Sequence, residues 1–152
     1  MKSDIREEYE VRPIKSAAEL QKLAHLFMQV FEIQNYPKAD LQYLQKLYQE
    51  KYFFAFAAIV NDHIIGGLTG YLLPSYVSPK PVAYIYDLAV LPPYQKKGVG
   101  KKIINYTKKY CKKMNVKELF VHTHEEKKLI NFYRSTYPDE EESVRIFSYQ
   151  CS

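Results

Sequence analysis

The order of apolar and polar positions divides the chain into recognisable elements. Tyr9-Glu10-Val11-Arg12-Pro13-Ile14 predicts a short strand. Ser16-Ala17-Ala18-Glu19 has the form of a capping box, in which a hydroxyl and a carboxylate take up amides that the first helical turn leaves unbonded. It opens a helix with apolar positions at Leu20, Leu23, Phe27 and Val30, the spacing of one helical face. Asp40 is placed to cap a second helix, with Leu41, Leu44, Leu47 and Tyr48 on one side. From Tyr52 to Val60 almost every residue is apolar, Asn61-Asp62 signals a turn, and His63 to Leu73 resumes the run, which predicts a hairpin. Gly66, Gly67 and Gly70 leave its return strand open to a bulge.

A loop with three prolines, Pro74 to Pro81, precedes Val82 to Leu91, a strand apolar on both faces except at Asp87 and therefore central in its sheet. Pro92 and Pro93 end it. A helix from Val99 to about Met114 follows, with Val99, Ile103, Tyr106, Tyr110 and Met114 as the buried stripe and lysines facing outward. Glu118 to His122 predicts a strand, Glu125 to about Ser135 a helix, and Ser143 to Tyr149 a last strand. The order β, α, α, hairpin, β, α, β, α, β belongs to the α/β class with a mixed sheet, and the step from 82 to 122 predicts a parallel pair with a right-handed crossover. Without a repeat, linker or low-complexity tract, residues 1–152 read as a single domain.

Composition narrows the function classes. The 152 residues are 47% hydrophobic and 26% charged, the balance of one globular domain. Mean hydropathy is −0.39, and no apolar run approaches the roughly 18 residues of a spanning helix, so no membrane partner is expected. The start, Met1-Lys2-Ser3-Asp4-Ile5-Arg6-Glu7-Glu8, lacks the apolar region of a secretion signal, and the expected compartment is the cytoplasm. Cys111 and Cys151 have no spacing that suggests a disulfide frame and read as free thiols. The net charge of +5 is unevenly spread: no acid lies between Asp87 and Glu118, where lysines stand at 96, 97, 101, 102, 108, 109, 112, 113 and 117, while Asp139-Glu140-Glu141-Glu142 is acidic.

The chemistry concentrates in Gln95-Lys96-Lys97-Gly98-Val99-Gly100, between a buried strand and an amphipathic helix. Glycines at alternate positions let the backbone come close to a ligand with its amides outward. A helix N-terminus adds about half a positive charge. Lys96, Lys97, Lys101 and Lys102 add formal charge beside it. Such a loop predicts a phosphate-bearing ligand. It is not a Walker loop, since no Gly-Lys-Ser/Thr follows, nor a dinucleotide fingerprint, since position 103 is Ile.

The remaining pattern, Q-x-x-G-x-G after a strand ending in Leu-Ala-Val, resembles the pyrophosphate loop of the GCN5-related N-acetyltransferases, the GNAT superfamily. Tyr84-Ile85-Tyr86-Asp87-Leu88-Ala89-Val90, together with Tyr71-Leu72-Leu73-Pro74, Phe54-Ala55-Phe56-Ala57-Ala58, Asp40-Leu41-Gln42-Tyr43-Leu44 and Val144-Arg145-Ile146-Phe147, is similar to the aminoglycoside 3-N-acetyltransferase type. The resemblance spans about residues 20 to 149. It implies a central mixed sheet whose parallel fourth and fifth strands splay apart, flanked by about four helices, and a co-substrate, acetyl-CoA, threaded between them. Leu88, Ala89 and Val90 would pair with its pantetheine arm and polarise the acetyl carbonyl through backbone groups. Gln95, Lys96, Lys97, Gly98, Val99, Gly100 and Lys101 would hold its pyrophosphate, with Asn131 also on the cofactor side.

Transfer to a primary amine needs a proton acceptor, because an aliphatic amine is mostly protonated at neutral pH. Asp87, the only acid on the central strand, matches the position where the resemblance implies one; otherwise it reads as a buried carboxylate held by backbone amides. Tyr133, in Leu129-Ile130-Asn131-Phe132-Tyr133, matches the position of the acid that protonates the departing thiolate. Its ordinary pKa near 10 suits that donation. The family pattern is broken just after it, where this chain has Arg134-Ser135-Thr136-Tyr137-Pro138, and Glu126 stands where an Asn often opens the helix. Tyr86, Glu141 and Glu142 are the expected acceptor-binding residues, although an exposed acidic loop explains the glutamates equally well.

Other readings remain open at this stage. His122-Thr123-His124 lacks a third ligand and reads as polar lining, so no metal is expected. His25 reads as a surface residue and Cys111 as a packed one. The lysine-rich helix has the charge of a nucleic-acid surface, but Tyr106 and Tyr110 fall on the apolar stripe, which leaves the lysines without stacking platforms. A non-catalytic acyl-CoA binder, or an enzyme acting on a polyamine, peptide or protein amine, also fits. A homodimer is consistent with the resemblance.

Overall fold

A computed structural model describes residues 8–152; the charged start, residues 1–7, lies outside the described residues. The chain forms two compact units, Met1–His122 and Thr123–Ser152. The first holds β1 (Glu10–Pro13), α1 (Ala17–Val30), α2 (Leu41–Gln49), β2 (Phe53–Val60), β3 (His63–Leu73), β4 (Val82–Val90), a single 3-10 turn at Pro92–Tyr94, α3 (Val99–Lys113) and β5 (Glu118–Val121). The second holds α4 (Lys127–Arg134). The five strands form one mixed sheet in the order β1-β2-β3-β4-β5. Pairs β1–β2, β2–β3 and β3–β4 are antiparallel, and β4–β5 is parallel, as the β-α-β step predicts. Among the described residues no helix is long and apolar enough to cross a membrane.

The two early helices begin where the sequence predicts. Ser16 Oγ accepts from the Glu19 amide at 3.1 Å, and an Asp40 carboxylate oxygen accepts from the Tyr43 amide at 2.7 Å. The box closes with a difference: Glu19 accepts from the amide of Lys15 at 2.6 Å rather than from that of Ser16, and also takes the Arg12 guanidinium in a fork at 3.0 and 2.8 Å. Strand β1 and helix α1 are thereby tied by a charge-assisted pair.

Side chains alternate along β2. Ala55, Ala57 and Ile59 join Leu20, Leu23, Leu26, Phe27 and Leu44 of α1 and α2 in one cluster. Phe54 and Phe56 meet Tyr106 and Tyr110 of α3 at ring distances of 4.9 to 5.2 Å. Helices α1 and α2 thus cover one face of the sheet and α3 the other. Gly67 is where α1 comes closest: a Cβ there would lie 2.6 Å from the Phe56 carbonyl oxygen and would collide with the Leu23 side chain.

Three expectations are corrected. Met114 is exposed, and the buried side of α3 is Val99, Ile103, Ile104, Thr107 and Cys111, with Tyr106 and Tyr110 only half-buried. Small side chains at 107 and 111 let the helix lie close to the sheet, and Thr107 Oγ1 returns its proton to the Ile103 carbonyl at 2.9 Å, so burying it leaves no donor unbonded. The expected strand Ser143–Tyr149 does not form: residues 140–152 are neither helix, strand nor turn, and all are exposed. Leu41, expected on the apolar face of α2, is 49% exposed, and Leu44 is the residue that helix buries.

Candidate active site

Strand β4 changes partner along its length. Its register with β5 runs from Val82↔Glu118 to Ile85↔Val121 and stops there. Its register with β3 continues to Gly66↔Val90. From Tyr86 to Val90 one edge of β4 therefore has no neighbouring strand among the described residues, the splay that the resemblance implies. This edge carries Leu88, Ala89 and Val90.

The same stretch carries a bulge. Thr69 pairs with Asp87 and Gly70 with Ile85, so Tyr86 is an extra residue on β4. The insertion inverts the alternation. Ile85 falls opposite Gly70 and Phe54, on the α3 face; Asp87 falls opposite Thr69 and Ala55, on the face of α1 and α2. Asp87 is half-buried, and burial raises its carboxyl above the ordinary carboxylate value. Tyr86 points outward at 61% exposure, with its ring 5.7 Å from Tyr71 and 6.3 Å from Tyr84, both nearly perpendicular. Tyr84 also meets Phe120 at 5.0 Å and His122 at 5.5 Å, and Tyr71 meets Tyr52 at 6.3 Å. Burial, then the neighbouring Tyr86, Tyr43, Tyr52 and Asp87, push the Tyr71 hydroxyl up. An aromatic wall thus stands beside the one carboxylate of the strand. Tyr52, Tyr71 and Tyr84 carry no individual sequence signal among 15 tyrosines; only strand register singles them out.

Beyond Val90 the chain turns through Pro92–Tyr94 into the loop. The Gln95 side chain donates to the Val90 carbonyl at 2.8 Å, so this residue closes the end of the strand and fixes the loop against it. Lys96 (φ 60°) and Gly98 (φ 83°) both take left-handed backbone, and Gly98 is the N-cap of α3 with no side-chain cap bond. A Cβ at Gly98 would meet nothing within 4 Å, so the space in front of the helix is open. The first helical bond joins the Lys102 amide to the Gly98 carbonyl. The amides of Val99, Gly100 and Lys101 precede it and have no helical acceptor. The side chains of Lys96, Lys97, Lys101 and Lys102 are exposed around this end, Lys97 lying 6.0 Å from the Tyr94 ring centre and Lys102 4.6 Å from that of Tyr9. Val99 is buried and serves as the anchor of the helix.

In the second unit, Asn131 and Tyr133 lie on α4, Asn131 exposed and Tyr133 partly buried with its ring 5.0 Å from that of Phe132. Glu126 caps this helix without a side-chain bond. The turn after Tyr133 is well bonded: Ser135 Oγ donates to the Phe132 carbonyl at 2.5 Å and Thr136 Oγ1 to the Tyr133 carbonyl at 2.6 Å. Glu141 is held by Arg134 through two bonds of 2.7 Å, and that guanidinium keeps its carboxyl below the ordinary value. Glu142 is exposed. Cys111 is buried, with its thiol pushed up to about 11, and Cys151 is exposed. His25 is exposed and bonded to the Tyr36 hydroxyl at 2.8 Å. Among the described residues no three His, Cys, Asp or Glu side chains cluster as a metal site would require.

A half-open β4 edge, a displaced carboxylate on that strand and an uncapped helix start behind a left-handed glycine are thus brought together in the first unit. The model of the acetyltransferase (GNAT) family matches residues 19–137. The chain belongs to that family, and it is an acetyltransferase. It is similar to the aminoglycoside acetyltransferase meta-AAC0020 from an uncultured soil metagenomic sample, crystallised in complex with sisomicin, at 36% identity over 98% of this chain and 100% of that chain, with a TM-score of 0.94. A second soil metagenomic aminoglycoside acetyltransferase, HMB0005, is 26% identical over 95% of this chain and 99% of that one, with a TM-score of 0.84. The aminoglycoside N-acetyltransferase AAC(6')-Iy in complex with CoA shares the fold, at 20% identity over 95% and 96% of the two chains and a TM-score of 0.78. No curated protein matches the chain.

Proposed function

We propose that this acetyltransferase moves an acetyl group from acetyl-CoA directly to a primary amine of an aminoglycoside, the 3-N amine being the position that the resemblance to the 3-N type indicates. The observation that carries the reading is the unpaired edge of β4 from Tyr86 to Val90, running straight into the loop at the start of α3. Backbone groups of Leu88, Ala89 and Val90 line up with an extended arm, and the amides of Val99, Gly100 and Lys101 receive the diphosphate with Lys96, Lys97 and Lys101 around it. Gln95 supports the loop through Val90 rather than through the ligand. The acceptor takes its place by the outward tyrosines, whose ring faces attract ammonium groups; Glu141 and Glu142 are the acidic residues that the resemblance indicates for it.

Asp87 takes the proton that the attacking nitrogen must shed. Burial helps by raising its affinity for that proton. As the nitrogen bonds to the thioester carbon, the carbon–sulfur bond breaks, and the Tyr133 hydroxyl gives its proton to the departing sulfur. No bond between enzyme and acetyl forms; Cys111, buried and held as a thiol, is outside the chemistry. Because burial raises the Asp87 carboxyl, the base is lost to protonation at a higher pH than for an exposed aspartate, and turnover falls on the acid side accordingly.

The test is thiol release from acetyl-CoA with aminoglycosides, polyamines, amino acids and peptides as acceptors, followed by the position of the acetyl group in the product. For Asp87→Asn the expected loss of turnover is about 10²- to 10⁴-fold with CoA binding retained. Unchanged turnover in Asp87→Asn, or release with peptides and none with aminoglycosides, overturns the respective half of the reading.

A further inference from the structure

The tyrosines beside Asp87 form a corner, not only a wall. Tyr71 and Tyr84 stand opposite each other in the register of β3 with β4. The ring of Tyr86, the extra residue of the bulge, meets both at 85° and 90°. Tyr52, just before β2, lies along Tyr71 at 24°. Tyr52 and Tyr86 are exposed while Tyr71 and Tyr84 are half-buried, so the group is anchored on one side and open to solvent on the other. All four belong to the first unit. Ring faces carry the negative part of the aromatic quadrupole, and rings set at right angles turn such faces in different directions around one space. A compact cation is attracted to them. Elsewhere the chain's own lysines take such rings, Lys97 at Tyr94 and Lys102 at Tyr9; among the described residues no lysine or arginine does so at these four.

We infer that Tyr52, Tyr71, Tyr84 and Tyr86 form a second acceptor subsite, which takes an ammonium group of the acceptor other than the amine that is acetylated. The assignment rests on the proposed reading of the acceptor as an aminoglycoside with its reacting nitrogen at Asp87. Spacing separates the two nitrogens. Asp87 stands opposite Thr69, and Tyr71 lies two residues further along β3, about 7 Å away. Amines on adjacent carbons do not span that distance, whereas amines across one sugar ring or on neighbouring rings come close to it. The choice of rings over acids also has a reason. Burial already raises the Asp87 carboxyl. A second carboxylate at the subsite would raise it further by like-charge repulsion, and the base would be protonated at working pH. Neutral ring faces attract the second ammonium without that penalty.

Binding and turnover on the full-length enzyme test this separately, with neamine as the aminoglycoside. By calorimetry, Tyr86→Leu is expected to bind neamine about 5- to 30-fold more weakly, and Tyr86→Phe, which keeps the ring, to bind it nearly as the unmodified enzyme does. Tyr52→Leu is expected to show a smaller loss of the same kind. Both side chains are exposed, and thermal unfolding checks that the variants remain folded. Tetramethylammonium chloride, whose cation has no N–H to acetylate or to donate, is expected to compete with neamine when sodium chloride of equal ionic strength does not, and to lose that effect in Tyr86→Leu. In thiol release the loss in Tyr86→Leu is expected in KM, with kcat within about 2-fold, because the ring touches a part of the acceptor that does not react. Equal neamine affinity in Tyr86→Leu overturns the inference, as does an equal loss in Tyr86→Phe, a loss confined to kcat, or no competition by tetramethylammonium. Neamine that binds through Tyr86 and is not acetylated strikes the proposed reaction alone; neamine that is acetylated with KM unchanged in Tyr86→Leu strikes the subsite alone. Absence of any neamine binding overturns both.

Discussion

The helices of this chain start in two different ways. Helices α1 and α2 carry their own caps: Ser16 and Asp40 each place a side-chain oxygen on an amide of the first turn. Helices α3 and α4 have no such bond, and α3 begins behind a glycine with open space before it. A capped start satisfies the helix within its own sequence and leaves nothing for a ligand. An uncapped start followed by exposed lysines keeps its amides for an outside anion. All three of α1, α2 and α3 cover the sheet; α3 alone of them has a first turn with no side-chain cap, the place where the proposed reading puts the diphosphate.

That contrast can be broken at either end. The largest effect is expected from giving α3 the kind of carboxylate cap that α2 has. A Cβ at residue 98 would meet no atom within 4 Å, and Asp takes left-handed backbone more readily than most residues, so the strain at φ 83° should cost about 1–2 kcal/mol of stability and leave the chain folded. A fixed negative charge at the anion's place should weaken CoA binding by about 10- to 100-fold, read by calorimetry with CoA alone. Equal binding in the variant would mean that the diphosphate lies elsewhere.

A smaller loss is expected at the start of α1, and in stability alone. Glu19→Ala removes the fork to Arg12 and the bond to the Lys15 amide, and should cost about 2 kcal/mol of unfolding free energy with CoA affinity unchanged. The Arg12 guanidinium, bonded to both oxygens of Glu19, holds that carboxyl below its ordinary value. The pair's contribution is therefore present above the ordinary carboxylate range and disappears as pH falls through the lowered value. Acid unfolding curves of the two proteins should converge at low pH. The smallest effect belongs to Ser16→Ala, about 1 kcal/mol in thermal or denaturant unfolding, again without change in binding.

What was legible in the sequence follows from the range over which each feature is decided. The caps at Ser16 and Asp40, the Asn61-Asp62 turn and the loop at 95–100 are fixed within a few residues, and they lie where the pattern puts them. The facing of α3 is not local. Its buried stripe includes Ile104, Thr107 and Cys111, while Tyr106 and Tyr110, half-buried, lie against Phe54 and Phe56 of β2.

By itself the sequence determined the element order up to α4, the parallel β4–β5 step, the caps of α1 and α2 and the place of the loop at 95–100, because each rests on backbone preferences and spacing that neighbours along the chain supply. Only the tertiary structure decided that Tyr86 is an extra residue, that Asp87 therefore faces α1 and α2 beside Tyr71, and that Ser143–Tyr149 does not form a strand. Those outcomes depend on which residue of one strand stands opposite which residue of another. Register of that kind is set by long-range pairing and packing, and a one-residue slip reverses every side chain beyond it.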